Sequence, residues 1–301
     1  MINNSAEIYF VEVARCAEIY FLEVARCAEI YFLEVARCTE MEIDMITSTS
    51  NSQVKYLVQL QNKTKIRKEN KEFVVEGIKM VEEAPKDRII KIYVSEHFVK
   101  ANEETVNNFG VEYEIVSDNV FSQISDTKTP QGILAIVKML DYSMNDLMNN
   151  IPLIAIIDNL QDPGNLGTII RTGEGAGISG VLMSSNTVDI YNPKTIRSTM
   201  GSIFRVPFVY ENDFLDAIDF IRNKNITIYA AHLDGKNSYT AEKYSGPSAF
   251  LIGNESNGLS EEAAKKADVL IRIPMCGKVE SLNAAIATTV LLYEAKRQRD
   301  N

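Results

Sequence analysis

The sequence predicts an α/β fold, with a mostly parallel sheet in the second half of the chain and a smaller α/β domain before it. Short apolar runs rich in Val and Ile alternate with segments of helical periodicity, which is the pattern of a sheet covered by helices on both faces. A polar, Asn-rich stretch interrupts this alternation once. We therefore divide the chain into a leader (1–44), a first domain (45–140), a linker (141–151) and a second domain (152–301).

The composition excludes several classes of protein. Hydrophobic residues make up 46% and charged residues 24% of the 301 residues, as in ordinary globular proteins. No apolar run is long enough to span a membrane, and we expect neither a signal peptide nor a disulfide framework, so the cytoplasm is the expected compartment. The net charge is −10, yet residues 45–100 carry 11 basic and 7 acidic groups. Charge alone therefore does not decide for or against a nucleic-acid partner.

The leader contains three copies of an 11-residue sequence. AEIYFVEVARC (6–16) is followed twice by AEIYFLEVARC, at 17–27 and 28–38. Either a helix with a wide apolar face or a strand fits this composition. We expect a recent tandem duplication, or a misassigned start, that adds a dispensable leader before Met45. An interaction or oligomerisation segment is the alternative.

The first domain is expected to begin with a helix over 51–68, because apolar residues such as Val54, Leu57 and Leu60 recur there at helical spacing. Gly77 closes the short strand that follows. Together these elements predict a small α/β sandwich. Its expected strands are 73–77, 89–95, 111–117 and 132–140, with a further helix over 78–83.

The second domain restarts the alternation at Pro152, with a helix from about Leu166 after the first strand. A long helix over 282–298 closes the chain. The other expected elements are strands at 153–159, 180–185, 204–210, 226–233, 248–255 and 269–274, and helices at 194–200, 214–224 and 260–267.

Three polar loops at strand ends are the candidate binding site: 158–172, 252–262 and 273–287. The carboxyl ends of parallel strands meet at one edge of the sheet, so these loops would line one crevice. Free amides near Gly167 and Thr168 would bind an anion at a helix start. Arg171 lies one helical turn after Gly167, whose missing side chain would let the arginine reach the crevice; a surface ion pair is the alternative.

Other chemistries find little support. Gly175, Gly177 and Gly180 match G-x-G-x-x-G, but a helix precedes them and a strand follows, which is the reverse of a dinucleotide-binding site. The chain has two histidines, too few for a zinc cluster or a Ser-His-Asp site, so no metal is expected. Cys276 is interpreted as an inert small residue.

Four motifs in order resemble one family. They are D-P-G-N-L-G-T-I-I-R (162–171), N-P-K-T-I-R-S-T-M-G-S-I-F-R-V-P (192–207), I-G-N-E-S-N-G-L (252–259) and I-P-M…S-L-N-A-A-I-A (273–287). With them, residues 152–298 resemble the SpoU, or TrmH-type, branch of the SPOUT (α/β-knot) RNA methyltransferases. Residues 45–140, with F-V-V-E-G, are similar to the L30e-like substrate-binding domain that often precedes this catalytic domain.

The resemblance implies a fold and a reaction. The fold is a deep trefoil knot, which is rare among proteins, and a homodimer completes the site. The reaction is methyl transfer from S-adenosylmethionine to a ribose 2′-hydroxyl of RNA, with large-subunit ribosomal RNA as the expected substrate. The catalytic residues implied are Arg171 and Asn165, with Arg171 as a base or as an electrostatic stabiliser. The implied cofactor contacts are Gly253, Ile273 and Leu282, supported by Leu233, Glu255, Met275 and Asn283.

The first domain would then contact the RNA. Its basic cluster comprises Lys63, Lys65, Arg67, Lys68 and Lys71, for which a solvated helix end is the alternative interpretation. Two other functions stay open beside ribose methylation of ribosomal RNA. One is methylation of a base nitrogen or of transfer RNA on the same fold, and the other is a non-catalytic RNA-binding assembly factor.

Overall fold

The computed structural model describes residues 45–148 and 151–300. The leader repeats lie outside the described residues. Within the described part of the chain, no helix is long and apolar enough to cross a membrane. Two sheets organise the described residues, one within 72–138 and one within 153–272.

The first sheet has four strands in the order β1-β4-β2-β3. β4 is antiparallel to both of its neighbours, whereas β2 and β3 are parallel. Apolar side chains of the surrounding helices, including Leu57 and Phe121, pack on this sheet. The strands are β1 Glu72–Glu76, β2 Ile89–Ser95, β3 Tyr113–Val116 and β4 Ile133–Lys138.

The helix expected over 51–68 is in fact two helices. The first ends at Asn62, and the backbone of Lys63 is extended, with φ −123° and ψ 104°, before the second begins. The helices of this part are α1 Ser52–Asn62, α2 Thr64–Asn70, α3 Ile78–Glu83, α4 Glu96–Ala101, α5 Glu103–Asn108 and α6 Asp118–Ile124, with a 3-10 turn at Lys86–Arg88.

The second sheet has seven strands in the order β7-β6-β5-β10-β8-β11-β9. Every pair of neighbours is parallel, so the predicted α/β class with a parallel sheet is confirmed. The central strands are buried at every position, which explains their unbroken apolar runs. The strands are β5 Leu153–Ile157, β6 Gly180–Ser184, β7 Phe208–Glu211, β8 Thr227–Ala231, β9 Asn237–Ser238, β10 Ser248–Ile252 and β11 Val269–Arg272.

The helices of the second half cover this sheet. The strand expected over 204–210 is shorter, because Ser202–Phe204 forms a 3-10 turn instead. Another 3-10 turn lies at Tyr239–Ala241. The helices are α7 Pro163–Ala176, α8 Pro193–Thr199, α9 Phe214–Asn223, α10 Glu261–Lys266 and α11 Ala284–Arg299.

The segment expected to be a plain linker contributes to the core. Met144–Leu147 forms a 3-10 turn, and the side chain of Leu147 is fully buried. It packs with Ile154 and Leu182 in the core of the second sheet. The polar composition of 141–151 therefore gave no indication that Leu147 is a core residue.

Candidate active site

The carboxyl ends of β5, β10, β8 and β11 lie side by side at one edge of the sheet. Ile157 at the end of β5 is level with Ile252 at the end of β10. Ala231 of β8 is level with Ile271 of β11 in the same way. The loops that follow these strands are thus brought to one place, as the order of the motifs predicts.

A hydrogen-bond network joins the three predicted loops. The Nδ2 of Asn165 donates to Oε1 of Glu255 at 2.9 Å. The Nδ2 of Asn283 donates to Oδ1 of Asn165 at 3.1 Å. Asn165 therefore lies between the other two side chains, with both of its polar atoms engaged, and its amide plane is fixed.

Glu255 is held as a carboxylate. Burial disfavours its charge, but hydrogen bonds from the Asn165 side chain and from backbone amides outweigh burial and lower the pKa of Glu255. Two of these amides belong to Gln161 and Asp162, each 3.3 Å from a carboxylate oxygen. A charged Glu255 thus ties its own loop to the loop before α7.

Additional polar contacts missed by sequence reasoning stiffen the same loops. Ser260 donates through Oγ to the buried carboxylate of Asp158 at 2.8 Å. Asn254 donates through Nδ2 to the carbonyl oxygen of Asn159 at 2.8 Å. An aspartate directly after a five-residue apolar strand is the signal that could have identified Asp158, since a carboxylate buried there needs donors.

Gly253 is required by the shape of its loop. Asn254 and Gly258 form two backbone hydrogen bonds of 2.9 Å, which fold the loop back on itself. A Cβ on Gly253 would lie 2.2 Å from the carbonyl carbon of Gly258. Any larger residue would push this loop open, so its backbone groups would lose their positions beside Glu255.

The anion site expected near Gly167 and Thr168 is not formed. Helix α7 begins at Pro163 rather than near Leu166, so both amides lie inside the helix. The helix start is capped by Asp162, whose Oδ1 accepts from the amide of Asn165 at 2.8 Å. A carboxylate already occupies the position that the predicted anion would need.

Arg171 is exposed on α7, and no other described residue forms a hydrogen bond or ion pair with its guanidinium. The role predicted for Gly167 was wrong. Gly167 is buried against α8, and a Cβ there would lie 2.5 Å from Cβ of Ser198. The glycine therefore makes room for α8 rather than for the arginine.

The apolar residues expected to contact the cofactor lie on the loops that follow β8 and β11. Leu233, two residues after β8, is 63% exposed, and Ile273, Met275 and Leu282 are half-buried. Asn283 caps α11 by accepting from the amide of Ala285 at 2.9 Å. Partly exposed apolar side chains are the kind that contact a flat, uncharged ring such as adenine in proteins.

Two family models match the chain. The SpoU rRNA Methylase family matches residues 152–293, and the MRM3-like substrate binding domain matches residues 51–135. The chain is 33% identical over 253 residues to the 23S rRNA (guanosine(2553)-2'-O)-methyltransferase RlmP of Bacillus subtilis, across 83% of this chain and 98% of that protein. The chain belongs to the SpoU rRNA methylase family.

Solved structures of family members have the same architecture. A crystal structure of an AdoMet-bound rRNA methyltransferase from Sinorhizobium meliloti is 35% identical, with a TM-score of 0.74 over 84% of this chain and 97% of that chain. The SpoU methyltransferase AviRb from Streptomyces viridochromogenes, in complex with the cofactor AdoMet, is 26% identical, with a TM-score of 0.75 over 83% and 99%.

The basic cluster of the substrate-binding domain is divided by the structure. Lys63, Lys65, Lys68 and Lys71 are exposed. Arg67 is 2% exposed and forms an ion pair with Asp189 of the second domain at 2.6 Å. Assigning Arg67 to the RNA-facing cluster was wrong, because helix α2 turns this side chain inward.

Among the described residues, no group of His, Cys, Asp and Glu is arranged to hold a metal ion. Cys276 is exposed and has a free thiol. The described loops thus offer amides, carboxylates and apolar side chains to a ligand, and α7 adds the exposed guanidinium of Arg171.

Proposed function

We propose that this chain is an S-adenosylmethionine-dependent RNA methyltransferase that acts on a ribose 2′-hydroxyl of large-subunit ribosomal RNA. The observation that carries the proposal is the position of Asn165 on α7, where it forms hydrogen bonds with Glu255 and Asn283 of the two other loops. The same helix presents Arg171, whose guanidinium has no partner among the described residues. Two relatives support it: RlmP is a 23S rRNA ribose 2′-O-methyltransferase, and the AdoMet-bound protein from Sinorhizobium meliloti is an rRNA methyltransferase.

The residues present fit the cofactor. Leu233, Ile273, Met275 and Leu282 offer the apolar surface for adenine, and the tight loop at Gly253 offers backbone groups. When bound, the sulfonium supplies an activated methyl group, and this chemistry needs no metal. The loops are held in place by hydrogen bonds from Asn165, Asn254 and Ser260.

Arg171 acts on the RNA side of the reaction. A ribose hydroxyl is a poor nucleophile until its proton is removed or its developing charge is stabilised. The guanidinium is always charged, and its fork of donors suits a phosphate. Arg171 therefore binds the phosphate next to the target ribose and stabilises the developing alkoxide. Asn165, fixed by Glu255 and Asn283, orients the site beside it.

RNA is held by the first domain through its exposed lysines. Lys63, Lys65, Lys68 and Lys71 face solvent on and beside α2, where they can neutralise phosphates. This assignment makes residues 45–140 the substrate-binding domain and residues 152–301 the catalytic domain. The trefoil knot is a part of the proposal that rests on the resemblance. The cytoplasmic location rests on the cysteine content of the sequence, and the dispensability of residues 1–44 rests on their tandem repeats.

The proposal includes a homodimer through the catalytic domain. Ile286 and Tyr293 lie seven residues apart on α11, hence on one face, and are 50% and 46% exposed. Light scattering should give twice the chain mass, and Ile286→Asp should shift it toward one chain. Ile90→Asp, at an exposed apolar residue of the first domain, is the control. A monomeric wild type would contradict this part.

The first experiment is calorimetric titration of the whole chain with S-adenosylmethionine. We expect micromolar binding that Leu282→Glu abolishes and Leu282→Met preserves, because a carboxylate at that position would be buried against an uncharged ring. Equal binding to the wild type and Leu282→Glu would place the cofactor elsewhere. No binding to the wild type would favour the non-catalytic assembly factor.

The target atom is tested on the RNA product. After transfer of a labelled methyl group to a transcript of large-subunit ribosomal RNA, alkaline digestion should leave the labelled linkage uncut, because a methylated 2′-oxygen cannot attack the adjacent phosphate. If alkaline digestion instead cut the RNA normally at the labelled position and released the label in single nucleotides, the enzyme would be a base methyltransferase. Label acquired only by transfer RNA would correct the substrate.

A further inference from the structure

Arg67 uses every hydrogen-bond donor that its guanidinium possesses. Nη1 donates to the carbonyl oxygens of Leu60 and Gln61, at 2.6 and 2.9 Å. Nη2 donates to Thr64 Oγ1 at 2.9 Å and to Asp189 Oδ2 at 2.6 Å, and Nε donates to the same Asp189 oxygen at 3.1 Å. The side chain therefore fastens the end of α1 and the start of α2 to the second domain.

Asp189 connects Arg67 to the start of α8, and through α8 to α7. Its Oδ1 accepts from the amide of Tyr191 at 3.0 Å, and its carbonyl oxygen accepts from the amide of Asn192, the N-cap of α8, at 3.0 Å. Helix α8 in turn packs against α7 at Gly167. One continuous set of contacts thus runs from α2, which carries the lysines, to α7, which carries Arg171.

More contacts between the same two domains end on the same two helices. Arg197 of α8 pairs with Asp126. Arg205 bridges Glu83 of α3 and Glu174 of α7. The ring centroids of Phe73 in the first domain and Tyr191 in the second are 4.6 Å apart. The catalytic helices therefore meet the first domain at several fixed points.

Ion pairs of this kind specify an orientation more than they add stability. Domains within one chain commonly move relative to each other. A guanidinium whose five donors all have partners permits one arrangement, because any rotation would leave a buried charge without hydrogen bonds. The lysine surface is thus held at a constant distance from Arg171.

We propose that Arg67 is a positioning residue that fixes the register between the RNA-binding lysines and Arg171, and thereby selects which ribose is methylated. The inference rests on the proposed function and deepens it. RNA held by Lys63, Lys65 and Lys68 presents a particular nucleotide to Arg171 because the two domains are locked. Without the lock, bound RNA presents its riboses in several registers.

The test compares Arg67→Met with the wild type on a transcript of large-subunit ribosomal RNA. Methylated riboses are mapped by mass spectrometry of nuclease fragments, and kcat, RNA affinity and S-adenosylmethionine affinity are measured separately. We expect kcat to fall about 100-fold, the loss that a displacement of about 1 Å can produce, with methylation spread to neighbouring riboses. Both affinities should stay within about twofold, since neither binding surface is altered.

The control is Lys91→Met, which breaks a partly buried ion pair inside the first domain. Lys91 and Glu114 are 2.5 Å apart, with side chains 25% and 24% exposed. This variant should keep the wild-type kcat and the wild-type methylation map. Spreading in both variants would attribute the effect to general destabilisation and overturn the inference.

If Arg67→Met does not fold, Arg67→Lys decides. It keeps a positive charge beside Asp189 but has three donors in place of five, so it cannot satisfy all the acceptors that Arg67 holds. A lower kcat with a broadened map supports the inference, and an unchanged map overturns it. A wild type that methylates no ribose would instead refute the proposed function and the inference with it.

Discussion

Helices α2 and α7 each carry one arginine that the sequence places near RNA, and the two arginines have opposite surroundings. Arg67 on α2 is 2% exposed, and all five of its donors are used. Arg171 on α7 is exposed, and its guanidinium has no partner among the other described residues. The difference shows that an arginine's role is decided by the surface against which its helix packs.

Substitution by alanine should therefore lower the free energy of unfolding much more at Arg67 than at Arg171. Arg67→Ala leaves Asp189 unpaired in the interface, so we expect the free energy of unfolding to fall by about 3–5 kcal/mol. Arg171→Ala removes no contact and should change it by less than about 0.5 kcal/mol. Urea unfolding measures both. Equal losses would remove the distinction between the two arginines.

Methyl transfer, unlike stability, should depend strongly on Arg171. Arg171→Ala is expected to lower methyl transfer by about 100- to 1000-fold, the usual effect of removing one group that stabilises developing charge. Affinity for S-adenosylmethionine should be unchanged. Arg222→Ala, at an arginine paired with Asp268 in the same domain, is the control and should retain activity. Equal loss of transfer and cofactor affinity would contradict the assigned role.

The cap at the start of α7 extends the comparison, because its contribution to the free energy of unfolding depends on pH. Asp162→Ala should lower the free energy of unfolding by about 1 kcal/mol at pH 7, while Asp162→Asn retains a cap and should cost less. The hydrogen bond from the Asn165 amide, with Lys194 nearby, lowers the pKa of Asp162 in the folded protein.

Because that folded pKa is depressed, the contribution of Asp162 is complete above the unfolded pKa of about 3.9 and disappears as the pH falls through the lower folded pKa. The difference between the wild type and Asp162→Ala should therefore shrink below about pH 4. Unfolding measured across pH 3 to 7 tests this; a gap that grows on acidification would show that the carboxylate does not cap the helix.

The smallest effect concerns the lysines that surround Arg67. Lys68→Ala should reduce the slope of log affinity for RNA against log salt concentration by about one, the loss of a single phosphate contact. Lys100→Ala, at an exposed lysine paired with Glu96, should leave the slope unchanged. If Lys100→Ala had the same effect as Lys68→Ala, the RNA-binding surface would extend beyond the cluster.

Sequence reasoning predicted the parts of the fold that local patterns determine. The strands of the parallel sheet are unbroken apolar runs, so β5, β6 and β10 could be located from composition alone. The loops that bring Asn165, Glu255 and Asn283 together follow from strand order, since parallel strands end at one edge.

Long-range partners were beyond such reasoning. Nothing in the residues around Arg67 indicates Asp189, which lies 122 positions later. The start of α7 was misplaced because Pro163 and Asp162 together begin the helix earlier than its apolar periodicity suggests. For Arg67 a tertiary contact decided the outcome, and a window of local sequence does not contain its partner. For α7 a capping contact decided where the helix begins.

The burial of Leu147 bears on how the catalytic half could be produced alone. A truncated chain that begins at Pro152, where the family match starts, would lack this side chain and leave a gap beside Ile154 and Leu182. Loss of a buried leucine costs about 2–5 kcal/mol. A chain that begins at Asp141 keeps Leu147 in place, so the practical boundary of the isolated enzyme lies before the 3-10 turn.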